Sequence, residues 1–209
     1  MNKRIFPTVI FFTWLLGLLW WTGGFQHFTT YSYAMYRAGE TPRAMPNFQL
    51  MDFNSNPVNL SELSGNDKTR GKYILVDFMY LQCSSVCGIL RSRLYDYKKE
   101  LSPYLGKNLI MASISFDPQR DTPTILKETW KSLGAESNWL FASLQGNRDK
   151  IIDEMYKFGV VIIPLSNGDF NHTTMHYLID PEGKLVEVID PSRGKENALK
   201  SIKKYLNYI

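Results

Sequence analysis

An α/β fold, one sheet flanked by helices with a single apolar helix ahead of it, is what this 209-residue sequence predicts. Three observations carry that expectation. The chain opens on an uncharged apolar run from Ile5 to Trp21. Tyr73–Met79 is apolar except for Asp77, the pattern of a strand buried on both faces. Beyond it, strand-like and helix-like periods alternate three times, which implies parallel crossovers with helices packed on the sheet.

Taken in order, the first segment reads as a membrane element. Lys3 and Arg4 precede the run, and Trp20 and Trp21 close it. A basic start favours the cytoplasmic side and tryptophans suit the far interface. Crossing about 30 Å of hydrocarbon takes roughly 17–25 helical residues, so this run is near the short limit. A cleaved signal peptide is the other reading, since Thr22-Gly23-Gly24 supplies small residues. The cues favour an anchor over residues 1–24, with residues 5–21 in the lipid bilayer. No Ser/Arg-rich transit segment precedes the run, so the expected location is a bacterial inner membrane with the domain facing the periplasm. Residues 25–45 show no clear period and read as a tether; residues 46–209 are the right size for one domain.

Within that domain, residues 46–63 predict a hairpin turning at Asn54-Ser55-Asn56-Pro57. Strand Tyr73–Met79 follows. A helix starting near Ser84 places Cys87, Leu90, Leu94, Tyr97 and Leu101 on one face. Leu109–Phe116 is the next strand. Thr122 caps a helix with Pro123 in its first position, and Gly134 stops it. A short strand spans Leu140–Ser143. Asn147 caps a helix striped with Ile151, Ile152, Met155 and Phe158 that ends at Gly159. After the apolar Val160–Pro164, residues 165–174 read as a loop and residues 175–190 as a second hairpin about Pro181-Glu182-Gly183. A closing helix carries Leu199, Ile202, Leu206 and Ile209. A two-cysteine motif between the first core strand and its helix makes this order look like a thioredoxin-like fold with an N-terminal hairpin extension.

Net charge is +4, with Lys and Arg interspersed among Asp and Glu along the domain. No basic face emerges, so the sequence implies no nucleic acid partner. The chemistry centres on its two cysteines, Cys83 and Cys87. Four residues apart on one helix, their side chains share a face about 5–6 Å apart at Cβ. That spacing permits two sulfurs on one metal ion, or a disulfide after adjustment. The helix N-terminus favours thiolate, the form that attacks disulfides and binds metals. An inert staple closing so short a loop would stabilise little. On spacing alone, redox and metal roles stay level.

A third ligand separates them. His172 and His176 both lie near the last hairpin, and in thioredoxin-like folds the turn before that hairpin faces the cysteine motif. His172 thus completes a two-sulfur, one-nitrogen set, which suits copper, or zinc given a fourth ligand. His176, beside Tyr177 in the strand, reads as a surface or hydrogen-bonded residue.

These residues resemble the Sco/SenC family, membrane-tethered copper proteins of cytochrome oxidase assembly. The family's F-x-Y-T-x-C-P-x-x-C-P stands here as Phe78 to Gly88. Its S-x-D-P-x-R-D-T-P stands as Ser115 to Pro123, and its D-H-[ST] followed by Y-L-[IV]-x-P as Asn171-His172-Thr173 and Tyr177 to Pro181. The resemblance implies that Cys83, Cys87 and His172 bind a copper ion and deliver it to a cytochrome oxidase copper-site subunit or another copper protein, with a thiol reductant keeping the cysteines reduced. Asp117 and Asp121 match acidic positions; a strand-end turn and a contact at the helix start suffice to explain them.

Departures from the pattern are informative. Ser84 and Gly88 replace both motif prolines, adding N–H groups and loosening φ. Asn171 replaces an aspartate. Asp77, six residues before Cys83, is similar to the buried aspartate of thioredoxin itself. If it is buried, its pKa rises and it can shuttle protons to a departing thiol; if it ends a strand, it reaches solvent or a lysine. A buried Asp77 argues for the alternative function, thiol–disulfide exchange on a partner's cysteines with Cys83 and Cys87 as the redox pair.

Overall fold

Strands form where this chain is apolar on both sides, and helices where it is apolar on one. The computed structural model describes residues 5–25, 29–59, 71–82 and 87–207. Its elements are α1 (Ile5–Trp21), α2 (Thr30–Gly39), β1 (Arg43–Ala44), β2 (Gln49–Asp52), β3 (Pro57–Asn59), β4 (Tyr73–Met79), α3 (Cys87–Leu101) and β5 (Leu109–Ser115). Then come α4 (Pro123–Ser132), β6 (Trp139–Leu144), α5 (Arg148–Phe158), β7 (Ile162–Pro164), β8 (Phe170–His172), β9 (His176–Ile179), β10 (Lys184–Ile189) and α6 (Lys195–Leu206).

Eight strands make one mixed sheet in the order β1-β10-β9-β4-β5-β6-β2-β3, while β7 and β8 form a separate ribbon. β4, β5 and β6 run parallel and the outer strands antiparallel, as crossovers and hairpins respectively require. Alternation along β4 sorts the core into two layers. Ile74, Val76, Phe78 and Tyr80 face one side, against Ile151, Met155 and Phe158 of α5. Leu75 and Met79 face the other, where Leu94, Tyr97 and Leu101 of α3, Leu126 of α4, and Leu199 and Ile202 of α6 cover them. Each fully buried side chain of this size contributes about 1.5–3 kcal/mol.

Local signals account for the element ends. The β2–β3 turn puts Ser55 at φ 62°, and Thr122 and Asn147 cap α4 and α5 by accepting from Ile125 N–H and Lys150 N–H. Gly159 closes α5 at φ 95°.

Three expectations change. Residues 30–39 are not featureless tether but a helix, started by a reciprocal Thr29–Ser32 capping box. It packs so tightly that a Cβ on Gly159 would lie 2.7 Å from the Ala38 backbone, and β1 then adds to the sheet edge on β10. Second, the stretch read as a loop contains β8, paired Ile162↔His172 and Pro164↔Phe170 with β7. Third, α1 is 17 residues, about 26 Å at 1.5 Å per residue, and no helix among the described residues is long and apolar enough to cross a membrane. The proposed start of α3 near Ser84, and Ile209 of the closing stripe, lie outside the described residues.

Candidate metal centre

Three chain segments meet where β4 ends. The first is Tyr80-Leu81, leading to the cysteines. Tyr80 is buried, and its hydroxyl donates to Phe170 C=O (3.1 Å) while accepting from Phe170 N–H (3.2 Å). This double bond pins β8 to the end of β4. Leu81 N–H donates to Asp121 Oδ2 (2.9 Å).

The second segment, Ser115 to Pro123, is a latch. Ser115 Oγ donates to the same Asp121 oxygen at 2.5 Å, and Asp117 N–H donates back to Ser115 Oγ at 3.0 Å. Asp121 is fully buried; burial raises its pKa, opposed by the hydrogen bonds from Ser115 and Leu81. Asp117 is buried too and pairs with Arg120, whose guanidinium also lies 5.6 Å from the Tyr80 ring centre and 5.3 Å from that of Phe170. Asp121 therefore does more than start a helix. It ties the approach to Cys83 to the α4 N-terminus.

The third segment carries His172. Its ring stands edge-on to Phe116 (centroids 5.0 Å) and Tyr80 (5.8 Å). Nδ1 lies 3.0 Å from Thr173 C=O. A carbonyl can only accept, so Nδ1 carries the proton and Nε2 keeps its lone pair. Burial lowers the His172 pKa, opposed by the Thr173 contact, so the ring is neutral at neutral pH. Thr173 is itself fixed, its N–H donating to Val161 C=O and its Oγ1 accepting Val161 N–H, both at 3.0 Å.

His172 is thus held against Tyr80, three residues before Cys83. Cys83 lies outside the described residues. Cys87 is the first described residue of α3, and only its backbone is placed. Among the described residues no three His, Cys, Asp or Glu side chains cluster as a metal site. The donor set the chain offers nonetheless fits a soft ion: two thiols, and a neutral imidazole whose distal nitrogen keeps its lone pair.

Asp77 stands elsewhere. It shares a face with Leu75 and Met79, opposite that of Tyr80, so the sheet separates it from His172. It is buried and accepts a 2.6 Å hydrogen bond from Ser113, whose Oγ accepts from the Trp139 indole (3.0 Å). Burial raises its pKa to about 7, opposed by the Ser113 bond. The reading of Asp77 as a solvent-reaching strand end is therefore set aside. His176 is no surface residue either: it is buried, opposite Asp77 in the ladder, with Tyr97 edge-on at 5.4 Å. Sequence reasoning passed over Tyr80, Ser115 and Arg120 as builders of the site, although all three sit in its quoted motifs. For His176 the signal was its alternation with Leu178 along an apolar strand.

Comparison with known proteins adds the following. The SCO1/SenC family model matches residues 37–207. The SCO2-like protein RP587 of Rickettsia prowazekii is 31% identical over 147 residues, 67% of this chain and 66% of that one, so the match spans just under two thirds of the relative. The structure of Bradyrhizobium japonicum ScoI, determined with copper bound, superposes with a TM-score of 0.59 at 26% identity, covering 78% of this chain and 99% of that one. BsSco, described as a member of the Sco family of cytochrome c oxidase assembly proteins with a disulfide switch, superposes with a TM-score of 0.63 at 20% identity over 78% of this chain and 93% of its own. At that identity the likeness is one of fold.

Proposed function

Because its match covers most of the length, the chain belongs to the SCO1/SenC family, and on that premise we propose that it binds copper and delivers it during cytochrome oxidase assembly. Cys83, Cys87 and His172 hold the ion as cargo; the recipient is the oxidase copper-site subunit or another copper protein. A thiol reductant keeps the cysteines ready. The observation that carries this reading is the neutral His172 ring, its Nδ1 proton committed to Thr173 so that Nε2 is the unprotonated nitrogen, seated beside the strand that leads to Cys83. The thiols must shed protons to bind the ion, so affinity falls with acidity.

The exposed apolar side chains of α1, Phe6, Val9, Trp14, Trp20 and Trp21 among them, support attachment of this end to a lipid bilayer, with the domain on the periplasmic side of a bacterial inner membrane. Anaerobic copper titration of the reduced chain tests the cargo site. One ion per chain in the parent and at least about tenfold weaker binding in His172→Ala are expected. Equal affinity in the two would remove His172 from the site.

A second reading, thiol–disulfide exchange on a partner protein, draws on Asp77. A buried acid with a pKa of about 7 on the face covered by α3 suits proton transfer to thiols. Here one cysteine thiolate attacks the partner's disulfide and the other resolves the mixed disulfide. Slower exchange by Asp77→Asn at neutral pH, with copper binding intact, is the expected result.

A further inference from the structure

One strand of the sheet is left half uncovered. β1 pairs with β10 through Arg43↔Leu185 and Ala44↔Lys184. The residue that would extend this pairing along β10 is Pro42, which has no N–H to donate. Beyond Leu185, no strand covers that edge among the described residues. There β10 borders an open cavity of about 380 Å³, within the range of roughly 300–1,000 Å³ usual for binding pockets. Glu187, Val188 and Ile189 all line it, although side chains along a strand alternate between the two faces of the sheet. Neighbours that point to opposite faces meet one cavity at the edge of the strand, so the cavity exposes β10 backbone. Every second residue of an edge strand turns its N–H and C=O outward, ready to pair.

Charge says what could pair there. Across the cavity stand Arg193, just ahead of α6, and Asn197 on it. Asp190 is engaged by Arg193 (3.5 Å) and by Ser192 N–H (2.9 Å). Glu187 makes no ion pair among the described residues; its Oε2 lies 2.9 Å from the Tyr205 hydroxyl. The lining thus sets Glu187 and Asp190 against Arg193 alone, which leaves one carboxylate without a cation.

We infer that this edge is a docking slot for an extended segment of a partner protein that carries a lysine or arginine and adds to the sheet as a strand beside β10. Main-chain hydrogen bonds along Glu187–Ile189 supply affinity, and the cation set against Glu187 supplies register. A second copy of this chain would instead bring another Glu187 and Asp190 to the same edge. Met175 also lines the slot and lies at most about 11 Å from His172, the span of three extended residues. The slot therefore opens beside the proposed copper site. That the partner is the copper recipient rests on the delivery reading; the strand addition does not.

The test uses the full chain in uncharged detergent, labelled with nitrogen-15, and two capped hexapeptides alternating threonine with lysine or with glutamate. The lysine peptide is expected to slow amide exchange at residues 187–189 and to bind at least about tenfold more tightly than the glutamate peptide. Glu187→Lys should reverse that preference. N-methylating the lysine peptide at alternate residues removes its ladder donors and should abolish binding. Absence of saturable binding by the lysine peptide, equal binding of its N-methylated form, or a preference unchanged in Glu187→Lys would overturn the proposal. So would a chain that sediments as a dimer and is split by the peptide, which would assign the edge to a second copy. His172→Ala should bind the peptide as the parent does, so loss of copper binding and loss of docking are read separately.

Discussion

Tyr80 shows how much of the site rests on one hydroxyl. Its two hydrogen bonds satisfy both backbone groups of buried Phe170 and hold β8, with His172, against β4. Tyr80→Phe leaves those groups unpaired at a cost of about 1–3 kcal/mol. Urea unfolding should show that loss, and copper affinity should fall with it because His172 is no longer positioned. Asp77 makes a prediction of the opposite kind. Its folded pKa of about 7 exceeds the ordinary 3.8, so the folded state binds its proton more tightly than the unfolded chain does. Stability from this group is complete below about pH 4 and is lost as pH rises through about 7, by roughly 4 kcal/mol at most. Unfolding free energies from pH 4 to 8 should therefore decline more steeply in the parent than in Asp77→Asn. At this scale the sequence was partly legible. Asp77 in an apolar run left a buried acid and a solvent-reaching strand end equally open, and its Ser113 and His176 neighbours depend on strand register, which no local pattern encodes.

Among the elements, α2 and the β7–β8 ribbon are where the structure adds most to the sequence reading. α2 has little of the apolar periodicity that marks a core helix. It is secured instead by close contact of Ala38 with Gly159, a position that needs both positive φ and no side chain. Gly159→Ala is expected to cost at least about 2 kcal/mol and lower Tm by roughly 5–10 °C. Ala38→Gly should not rescue it, because the Ala38 backbone nitrogen and Cα would still lie 2.8 and 2.7 Å from the new Cβ. Hydrogen exchange over residues 30–39 should quicken in the variant. β8 escaped a pattern-based reading because three residues in a two-stranded ribbon bury only Phe170 well, while Asn171 stays exposed. By contrast β4, β5, α4 and α5 were readable, since continuous apolar runs, Thr122-Pro123, Asn147 and Gly159 each act locally.

For the whole molecule, the sheet places two chemistries on opposite faces. His172 and Tyr80 lie on one; Asp77, His176 and, in register with Met79, Ser115 lie on the other, beneath the helix that Cys87 begins. α1 belongs to a separate task. Removing residues 1–24 should release the chain from vesicles of bacterial phospholipid in a flotation assay and leave copper stoichiometry unchanged; retention on the vesicles would assign membrane attachment to another surface. The central claim is the two-sulfur, one-nitrogen site, and copper K-edge absorption of the reduced full chain tests it most directly. Two sulfurs and one imidazole nitrogen in the parent, with the nitrogen lost in His172→Ala, are the predicted result. The same copper environment in parent and variant would contradict it.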